Sequence, residues 1–533
     1  MVHATMLSFP TPSFDKSFKE PTMKLGPKAA AAALVLSASL ALTACGGGSA
    51  GAGSTAAGGK TVTALTLGTL RDITSWDPAQ AHVGHALQPY QAAYDSLILR
   101  EPDGKLSPML ATEWKYNDTN TKLTVDLRTD VTFSDGAKFD AEAAKANLDH
   151  FKKANGPQMA QLASVSDVAV VDADTIDINL SAAEPALEYF LSQAAGLMGS
   201  PKALGTDAIK TEPVGSGPYV MDKAATVKDS QTVFNARKDY WNNDLQKYQK
   251  LTLKILTDPT ARTNALVSGQ IDATLLDPKN GKQAEGAKMK LETNQVDWSG
   301  LLLLDRDGTK NPALADVKVR QAINYAFDRK TILDQVMLGQ GTPTSQPFGK
   351  DSGAWSEELE NYYSYDPAKA KQLLKESGFE GNVTIDVPTL PGAETLISVL
   401  KQQLADVGVT LNPGAAITNT FTADVAAQKY HALFFNLFQG EPTVAIDQIV
   451  STKALYNPFK NATPELDAKI QAVRTGGEDA GKLAQEVNKY VVEQAWFAPL
   501  FRVNQMYYHN DKVNVTPQVQ QAVPSIYNYS PAK

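Results

Sequence analysis

The chain contains a single cysteine, whose neighbours suit lipid attachment better than catalysis. Cys45 ends the stretch Leu42-Thr43-Ala44-Cys45, which looks like a bacterial lipobox. Small residues before the cysteine let a signal peptidase approach the backbone, and the thiol can then accept a diacylglyceryl group. One cysteine also excludes an intramolecular disulfide and a zinc site of the cysteine type. We therefore expect Cys45 to be lipidated.

The histidines offer at most one metal-binding pair. The chain has 6 histidines, and in His82-x-x-His85 two imidazoles could share one face of a helix. No third ligand can be identified beside them. A solvated helix start is the favoured interpretation, and the sequence predicts neither a metal site nor a cofactor.

No recognisable catalytic arrangement is present. Serines and carboxylates are plentiful, but none falls in a nucleophile elbow or in a paired acid–base pattern. Acylation of Cys45 would remove the one thiol. The sequence therefore predicts a binding protein and not an enzyme.

Charge and length narrow the class further. The formal net charge is −8, and the 50 Lys and Arg residues form no basic cluster. Phosphate binding needs clustered Lys and Arg, so a nucleic-acid partner is disfavoured. A chain of 533 residues is too long for one compact core and suggests two or three packing units.

The residues before Cys45 have the pattern of a signal peptide. Two lysines precede an uncharged run from Ala29 to Leu42, which is too short to span a bilayer but suits a signal-peptide core. We predict a signal peptide over residues 1–44, with Met23 as the expected translation start. Residues 45–60 are rich in glycine and serine and would form the lipid anchor and a flexible tether. The predicted location is extracytoplasmic, on the cell surface or in the periplasm, with attachment to the cell membrane.

Beyond the tether, short strands alternate with amphipathic helices. Val62 to Leu67 alternates apolar and polar residues as a half-buried strand does, and Val168 to Leu180 has the pattern of a β-hairpin. Three aspartates precede runs with apolar residues at helical spacing and should cap helices: Asp140, Asp316 and Asp366. The alternation predicts an α/β protein with largely covered sheets.

Several short motifs follow one another in a fixed order. They are Asp77-Pro78-Ala79, Tyr94 to Leu97, Leu106 to Trp114, Leu127-Arg128 with Val131 to Gly136, Gly215 to Tyr219, Tyr240-Trp241, Ser268 to Asp272 and Val319 to Arg329. In this order they resemble the family 5 extracellular solute-binding proteins, the group that holds the dipeptide-, oligopeptide- and nickel-binding proteins. The resemblance extends over roughly residues 62–530.

This resemblance implies a two-lobed periplasmic-binding-protein-like fold with a hinge and an extra subdomain. The first lobe would comprise residues 61–296 and 505–533, with the subdomain at about 101–211, and the second lobe residues 297–504. A peptide-like or similarly sized solute would lie between the lobes of a monomer. The closed form would then dock on the permease subunits of an ABC importer. A sensory or receptor protein of the same fold is the alternative function.

The position implied to hold the ligand's α-ammonium group departs from the family pattern. In peptide-binding members a carboxylate stands there, four residues before a proline; in the stretch Tyr430 to Pro442 the position is occupied by Phe438. A phenyl ring cannot replace the ion pair that a buried ammonium requires. Either aromatic residues stack on a sugar, an aromatic group or an apolar side chain, or the register is shifted and Glu441 supplies the charge. An oligosaccharide or a metal chelate therefore stays open as the ligand.

The predicted ligand-binding residues come from both lobes. The second lobe would contribute Asn436, Phe438, Gln439 and Glu441, and the first lobe the loop from Asp72 to Trp76. Trp298 near the crossover and Tyr527 near the C-terminus complete the set.

Overall fold

A computed structural model describes residues 63–390, 392–416 and 420–532. The predicted signal peptide, Cys45 and the tether lie outside the described residues. Within these ranges, no helix combines the length and the apolar character needed to cross a membrane.

The strands are short except for two. In chain order they are β1 Ala64–Thr69, β2 Ile98–Arg100, β3 Leu106–Pro108, β4 Ala111–Tyr116, β5 Lys122–Leu127, β6 Val165–Val170, β7 Thr175–Leu180, β8 Tyr219–Met221, β9 Gln231–Ala236, β10 Lys250–Ile255, β11 Ala273–Leu276, β12 Lys290–Leu303, β13 Gly341–Pro343, β14 Val383–Thr389, β15 Val409–Ala416, β16 Ala432–Phe438, β17 Phe497–His509, β18 Val513–Val515 and β19 Tyr529–Pro531.

The helices are concentrated in the second half of the chain. They are α1 Leu87–Gln91, α2 Ala141–Lys153, α3 Leu187–Leu191, α4 Pro259–Val267, α5 Pro278–Gly286, α6 Val317–Tyr325, α7 Arg329–Met337, α8 Pro367–Ser377, α9 Glu394–Ala405, α10 Phe421–Ala426, α11 Pro442–Ile449, α12 Pro464–Thr475 and α13 Ala480–Glu493.

Local sequence explains where several of these elements begin and end. The carboxylates of Asp140, Asp316 and Asp366 each accept a hydrogen bond from a backbone N–H in the first turn of α2, α6 and α8, so the three predicted caps are confirmed. α8 ends at Gly378, whose φ of 78° lies in the left-handed region that glycine tolerates. The predicted hairpin is also confirmed, as β6 and β7 pair in antiparallel fashion.

One mixed sheet runs through the molecule in the order β16-β12-β17-β11-β1-β10-β9-β8, and β13 also pairs with β17. β1 lies parallel to both β10 and β11, whereas β12 lies antiparallel to β16 and β17. A separate antiparallel sheet has the order β4-β5-β7-β6 and falls inside the predicted subdomain. The two long strands β12 and β17 are the elements that connect the two ends of the main sheet.

The pairing of β12 with β17 is interrupted near its middle. Gln295 pairs with Asn504, but the next paired residues are Trp298 and Arg502, so the register shifts between them. Such irregularities bend strands and increase their twist. The interruption falls beside the predicted lobe boundaries at 296/297 and 504/505, which stay a prediction.

Separate hydrophobic cores lie on either side of this interruption. One core combines residues from β1, α2 and the four-stranded sheet with C-terminal residues such as Ile526 and Tyr529. Two others are built from residues between Trp298 and Phe501 and contain α6, α8, α9, α11 and α13. β17 therefore supplies side chains to cores at both ends of the main sheet, with Tyr507 in the first core and Phe501 in one of the other two. β12 contributes Trp298 and Leu301 to the latter two cores.

A buried carboxylate joins three distant segments of the first core. Asp95 accepts hydrogen bonds from the Tyr240 hydroxyl at 2.9 Å, the Trp241 indole N–H at 2.9 Å and the Tyr527 hydroxyl at 3.3 Å. Burial raises the pKa of Asp95 to about 6, against the effect of these three donors. The sequence motifs around residues 95 and 240 thus meet as parts of the fold.

Candidate functional site

A cavity of about 480 Å³ opens between the cores, beside the register interruption of β12. This volume lies within the range of small-molecule binding pockets. Its lining comes from the chain segments on both sides of the interruption: Val83, Gly84, His85, Gln158, Ala160, Gln161, Glu184, Tyr189, Phe190, Gln193, Val296, Asp297, Phe438, Thr443, Val444, Asp447, Gln448, Gln520, Gln521 and Ala522.

The charged groups of this lining are acidic. Glu184, Asp297 and Asp447 face the cavity, and no Lys or Arg is among the described residues that line it. Burial, together with the nearby charge of Arg71, holds the pKa of His85 below its usual value, which favours the neutral imidazole. The electrostatic field of the site therefore favours a positively charged group.

Asp297 differs from the other two carboxylates because it has no protein partner. Its side chain makes neither a hydrogen bond nor a salt bridge to any described residue, although β12 places it at the wall of the cavity. Burial raises the pKa of Asp297 to about 6, and no neighbouring charge offsets this effect. In the antiparallel pairing of β12 with β16, the residue directly opposite Asp297 is Phe438.

Glu184 and Asp447 are both associated with one arginine. Arg474 on α12 forms a salt bridge with Asp447, and its Nη1 lies 3.9 Å from Glu184 Oε2. Burial raises the pKa of Glu184, the charge of Asp447 adds to the shift, and Arg474 opposes it. This group of three connects a residue before α3 with residues of α11 and α12 across the cavity.

Aromatic rings and side-chain amides complete the lining. Tyr189 and Phe190 lie on α3, on the side of the first core, and Phe438 ends β16. Among the amides, Gln448 Oε1 and Gln521 Nε2 are buried without a hydrogen-bond partner in the described residues. Buried polar atoms normally have partners, so these two are exceptions in the wall of the cavity.

Of the predicted ligand-binding residues, Phe438 lines this cavity. Glu441 lies just outside it, and its carboxylate accepts a hydrogen bond of 2.7 Å from Val444 N at the start of α11. Burial raises the pKa of Glu441 to about 7. Gln439 is buried, donates to the Gln295 carbonyl oxygen at 3.0 Å and thereby connects the end of β16 to β12.

The other predicted residues lie away from the cavity. Asn436 is exposed and accepts a hydrogen bond from the Ser299 hydroxyl in a separate groove of about 370 Å³. Asp72 accepts from the backbone N–H groups of Ile73 and Asp229. Trp76, Trp298 and Tyr527 are 6%, 0% and 9% exposed and belong to the cores.

The predicted histidine pair is not arranged as one helical face. His82 precedes the short turn Gly84–Ala86 that contains His85, and His85 lines the cavity on its own. Within the part of the chain that the structure describes, no group of three or more His, Cys, Asp or Glu residues could hold a metal ion.

Sequence reasoning missed Asp297, Glu184 and Asp447. Asp297 adjoins the predicted contact Trp298 on β12. Successive strand residues point to opposite faces, so Trp298 faces a core and Asp297 faces the cavity. The pairing of Asp297 with Phe438 depends on the register of two strands that are far apart in sequence. Glu184 precedes a five-residue helix, and nothing in its local pattern distinguishes it.

Known proteins are similar to this chain in both sequence and structure. The family model for bacterial extracellular solute-binding proteins, family 5 middle, matches residues 105–452. The glutathione-binding protein GsiB of Salmonella paratyphi A is 30% identical over 354 residues, which cover 63% of this chain and 66% of that relative. The match thus spans just under two thirds of the relative's length.

Solved structures share the architecture. The ABC transporter substrate-binding protein CtaP from Listeria monocytogenes superposes with a TM-score of 0.76 at 23% identity, covering 89% of this chain and 100% of that one. The ABC transporter-associated periplasmic binding protein DppA from Helicobacter pylori, in complex with the peptide STSA, gives a TM-score of 0.72 at 18% identity, with 88% and 98% covered. The expected two-lobed α/β fold is confirmed.

Replacing Asp297 by asparagine should stabilise the ligand-free protein at neutral pH. The folded-state pKa of about 6 lies above the ordinary value of 3.8, so the folded protein binds a proton more tightly than the unfolded chain. The cost of the buried charge is absent below the ordinary pKa, grows as the pH rises between the two values and is complete above the folded-state pKa. We expect Asp297→Asn to raise the free energy of unfolding by about 1–2 kcal/mol above this window and by nearly nothing below it, measured by urea unfolding.

Asp177→Asn provides a control of opposite sign. Hydrogen bonds from Lys122 and Thr124 hold the pKa of Asp177 below its usual value despite partial burial, so its removal should lower neutral-pH stability by up to about 1 kcal/mol. Destabilisation of the Asp297→Asn protein both above and below this pH window would show that Asp297 already has a stabilising partner.

Proposed function

Because the chain belongs to the bacterial extracellular solute-binding proteins of family 5, we propose that it is the solute-binding component of an ABC importer. It would capture a peptide-like or similarly sized solute between two lobes and deliver it to the permease. CtaP, which shares its fold, is an ABC transporter substrate-binding protein, and the GsiB relatives are named for glutathione binding. The observation that carries the proposal is the cavity between the cores.

The composition of the cavity wall supports a mechanism of capture by closure. Tyr189 and Gln161 approach from the side of the first core, whereas Phe438 and Asp447 approach from the side of the second. A solute that contacts both sides at once binds the closed arrangement better than an open one and shifts the population towards it. The size of this shift is set by how much more tightly the solute binds the closed arrangement than the open one. The lobes would turn about β12 and β17 near the register interruption.

The solute itself would remain chemically unchanged. The lining offers carboxylates, amides, aromatic rings and one imidazole, which are groups suited to recognition. Among the described residues that line the cavity, no serine or cysteine accompanies His85 and Glu184. We therefore propose transport and not catalysis as the activity of this site.

We further propose that the mature chain begins at Cys45 and is attached to the outer side of the cell membrane by lipid. Two or more acyl chains hold a protein firmly at a bilayer, whereas one chain gives marginal attachment. The glycine- and serine-rich residues that follow Cys45 would allow the protein to reach its permease while it remains anchored.

A tryptophan at position 160 should block solute binding. Ala160 is exposed in the short turn Met159–Leu162 and lines the cavity, so a larger side chain there would occupy solute space without disturbing a core. We expect Ala160→Trp to weaken binding of the solute that co-purifies with the wild-type protein, identified by native mass spectrometry, by at least tenfold, about 1.4 kcal/mol, in calorimetry.

Ala163→Trp is the matched control. Ala163 ends the same turn, is also exposed and does not line the cavity. The Ala163→Trp protein should bind the solute with an affinity within about twofold of the wild-type value, or about 0.4 kcal/mol. Equal affinities of the two tryptophan variants would place the solute outside this cavity.

Cys45→Ala should release the protein from membranes. Without the thiol no diacylglyceryl group can be attached, so cell fractionation should recover the variant in the soluble extracytoplasmic fraction and the wild type with the membranes. Metabolic labelling with a fatty acid should mark the wild type alone. Recovery of Cys45→Ala with the membranes would contradict lipid anchoring.

A further inference from the structure

We propose that Asp297 binds the cationic group of the solute, and that the solute is a net-positive organic amine or guanidine with an aromatic or apolar portion. This inference rests on the proposed function and specifies its ligand class. It depends on the unpartnered carboxylate, on the charge balance of the cavity and on the strand register that sets a phenyl ring opposite the carboxylate.

An ionised carboxylate held partly out of water needs a partner. Asp297 receives no hydrogen bond or ion pair from any described residue, whereas Glu184 and Asp447 share Arg474. Burial of a carboxylate without a partner costs free energy that folding does not recover. Proteins retain such a cost at sites where the group acts in binding. Asp297 lines the cavity, so a bound solute could supply the missing partner.

The rest of the cavity wall also favours a positively charged group on the solute. Glu184 and Asp447 add two further carboxylates, Arg474 compensates one of them, and no Lys or Arg is found among the described lining residues. The nearest cations stand behind the wall, Arg474 beside Asp447 and Arg100 over the ring of Tyr189. A carboxylate on the solute would therefore meet like charges before it met either guanidinium. The GsiB relatives are named for glutathione, a peptide rich in carboxylates, and this wall is poorly matched to it.

Phe438 provides the second contact for an organic cation. Residues directly opposite each other on antiparallel strands have Cβ atoms about 4.5–5.5 Å apart, so the ring of Phe438 lies beside the carboxylate of Asp297. A cation can then bind the carboxylate with one side and the face of the ring with another, and the cation–π interaction contributes most where water is excluded. A substituted ammonium or a guanidinium suits this pair better than a fully hydrated metal ion.

The remaining lining residues indicate the chemistry of the other part of the solute. Tyr189 and Phe190 stand on the first-core side of the cavity and provide apolar surface, and their rings are 6.1 Å apart in an edge-to-face arrangement. The side-chain amides of Gln448 and Gln521 also line the cavity. The solute is thus expected to bear an apolar portion beside its cation, and the amides suit a neutral hydrogen-bonding group.

The test compares amines with uncharged or anionic molecules of the same skeleton. The probes are phenethylamine against phenethyl alcohol, and phenylalanyl-alanine amide against its N-acetylated acid. Calorimetry on the full mature chain should show that each cationic probe binds at least tenfold more tightly than its partner. In Asp297→Asn this preference should fall to less than threefold, and Asp297→Glu should retain most of it.

Asp229→Asn controls for the change in net charge. Asp229 lies in an exposed turn away from the cavity, so the variant loses the same charge without losing the anchor. It should keep the wild-type preference for cationic probes. An equal loss of preference in the Asp229 and Asp297 variants would show that Asp297 acts only through the general field and would overturn the proposal.

The pH profile separates an anchor from a structural residue. Because the pKa of Asp297 is about 6 in the empty protein, cationic probes should bind fully above this value and progressively more weakly below it, with proton release on binding near it. The other titratable or charged groups near the cavity are His85, Glu184, Asp447, Glu441 and Arg474. In Asp297→Asn the part of the proton release that comes from residue 297 should disappear even if the fold is as stable as before.

Two kinds of failure are distinguishable. If an uncharged or anionic solute binds and compacts the protein, and its affinity is unchanged in Asp297→Asn, the cation-binding inference is wrong and the proposed function stands. If no solute of any charge changes the compactness of the protein in small-angle scattering, the proposed function fails as well. If neither amine binds better than its matched partner, the inference is overturned.

Discussion

The pairing of β12 with β17 is the constraint on which the rest of the structure depends. These two strands carry backbone hydrogen bonds from one end of the main sheet to the other, and β17 contributes Tyr507 to the first core and Phe501 to a core at the opposite end. Gly300 shows how tightly they are packed, because a Cβ at this position would lie 2.6 Å from the Ala498 carbonyl oxygen. Where the pairing is interrupted, between Gln295 and Trp298, the strands can bend without breaking either core. The cavity lies at this place, so a hinge there would move its two walls relative to each other.

The interruption also explains why an ionisable side chain can remain unpaired. Alternation along β12 directs Trp298 into a core, where it packs against Phe497 at a ring distance of 5.6 Å, and directs Asp297 towards the cavity. Other buried carboxylates among the described residues have partners: Glu360 binds Arg502, and Asp95 receives three hydrogen bonds. The contrast indicates that the fold satisfies charges that serve structure and leaves Asp297 to be satisfied by the solute.

The sequence predicted the fold more fully than the site. Caps such as Asp316 and the hairpin of β6 and β7 depend on residues close together in the chain, so their signals are local and were correct. Phe438, at the position where the sequence departs from the family pattern, lies in the cavity wall. Trp76, Trp298 and Tyr527 stand near the predicted cleft in sequence, but the fold buries these large aromatic side chains in its cores. Asp297 could not be found because its significance depends on the register between two strands more than 130 residues apart and on the absence of a partner in space.

The most direct measurement is a crystal structure of the mature protein with the solute that it retains on purification. The account predicts that a nitrogen of the solute lies about 2.7–2.9 Å from a carboxylate oxygen of Asp297, with the ring of Phe438 against the same group and the two cores closed over the remainder. A solute bound in the groove beside Asn436, or one in the cavity that turns an anionic or apolar group towards Asp297, would contradict it.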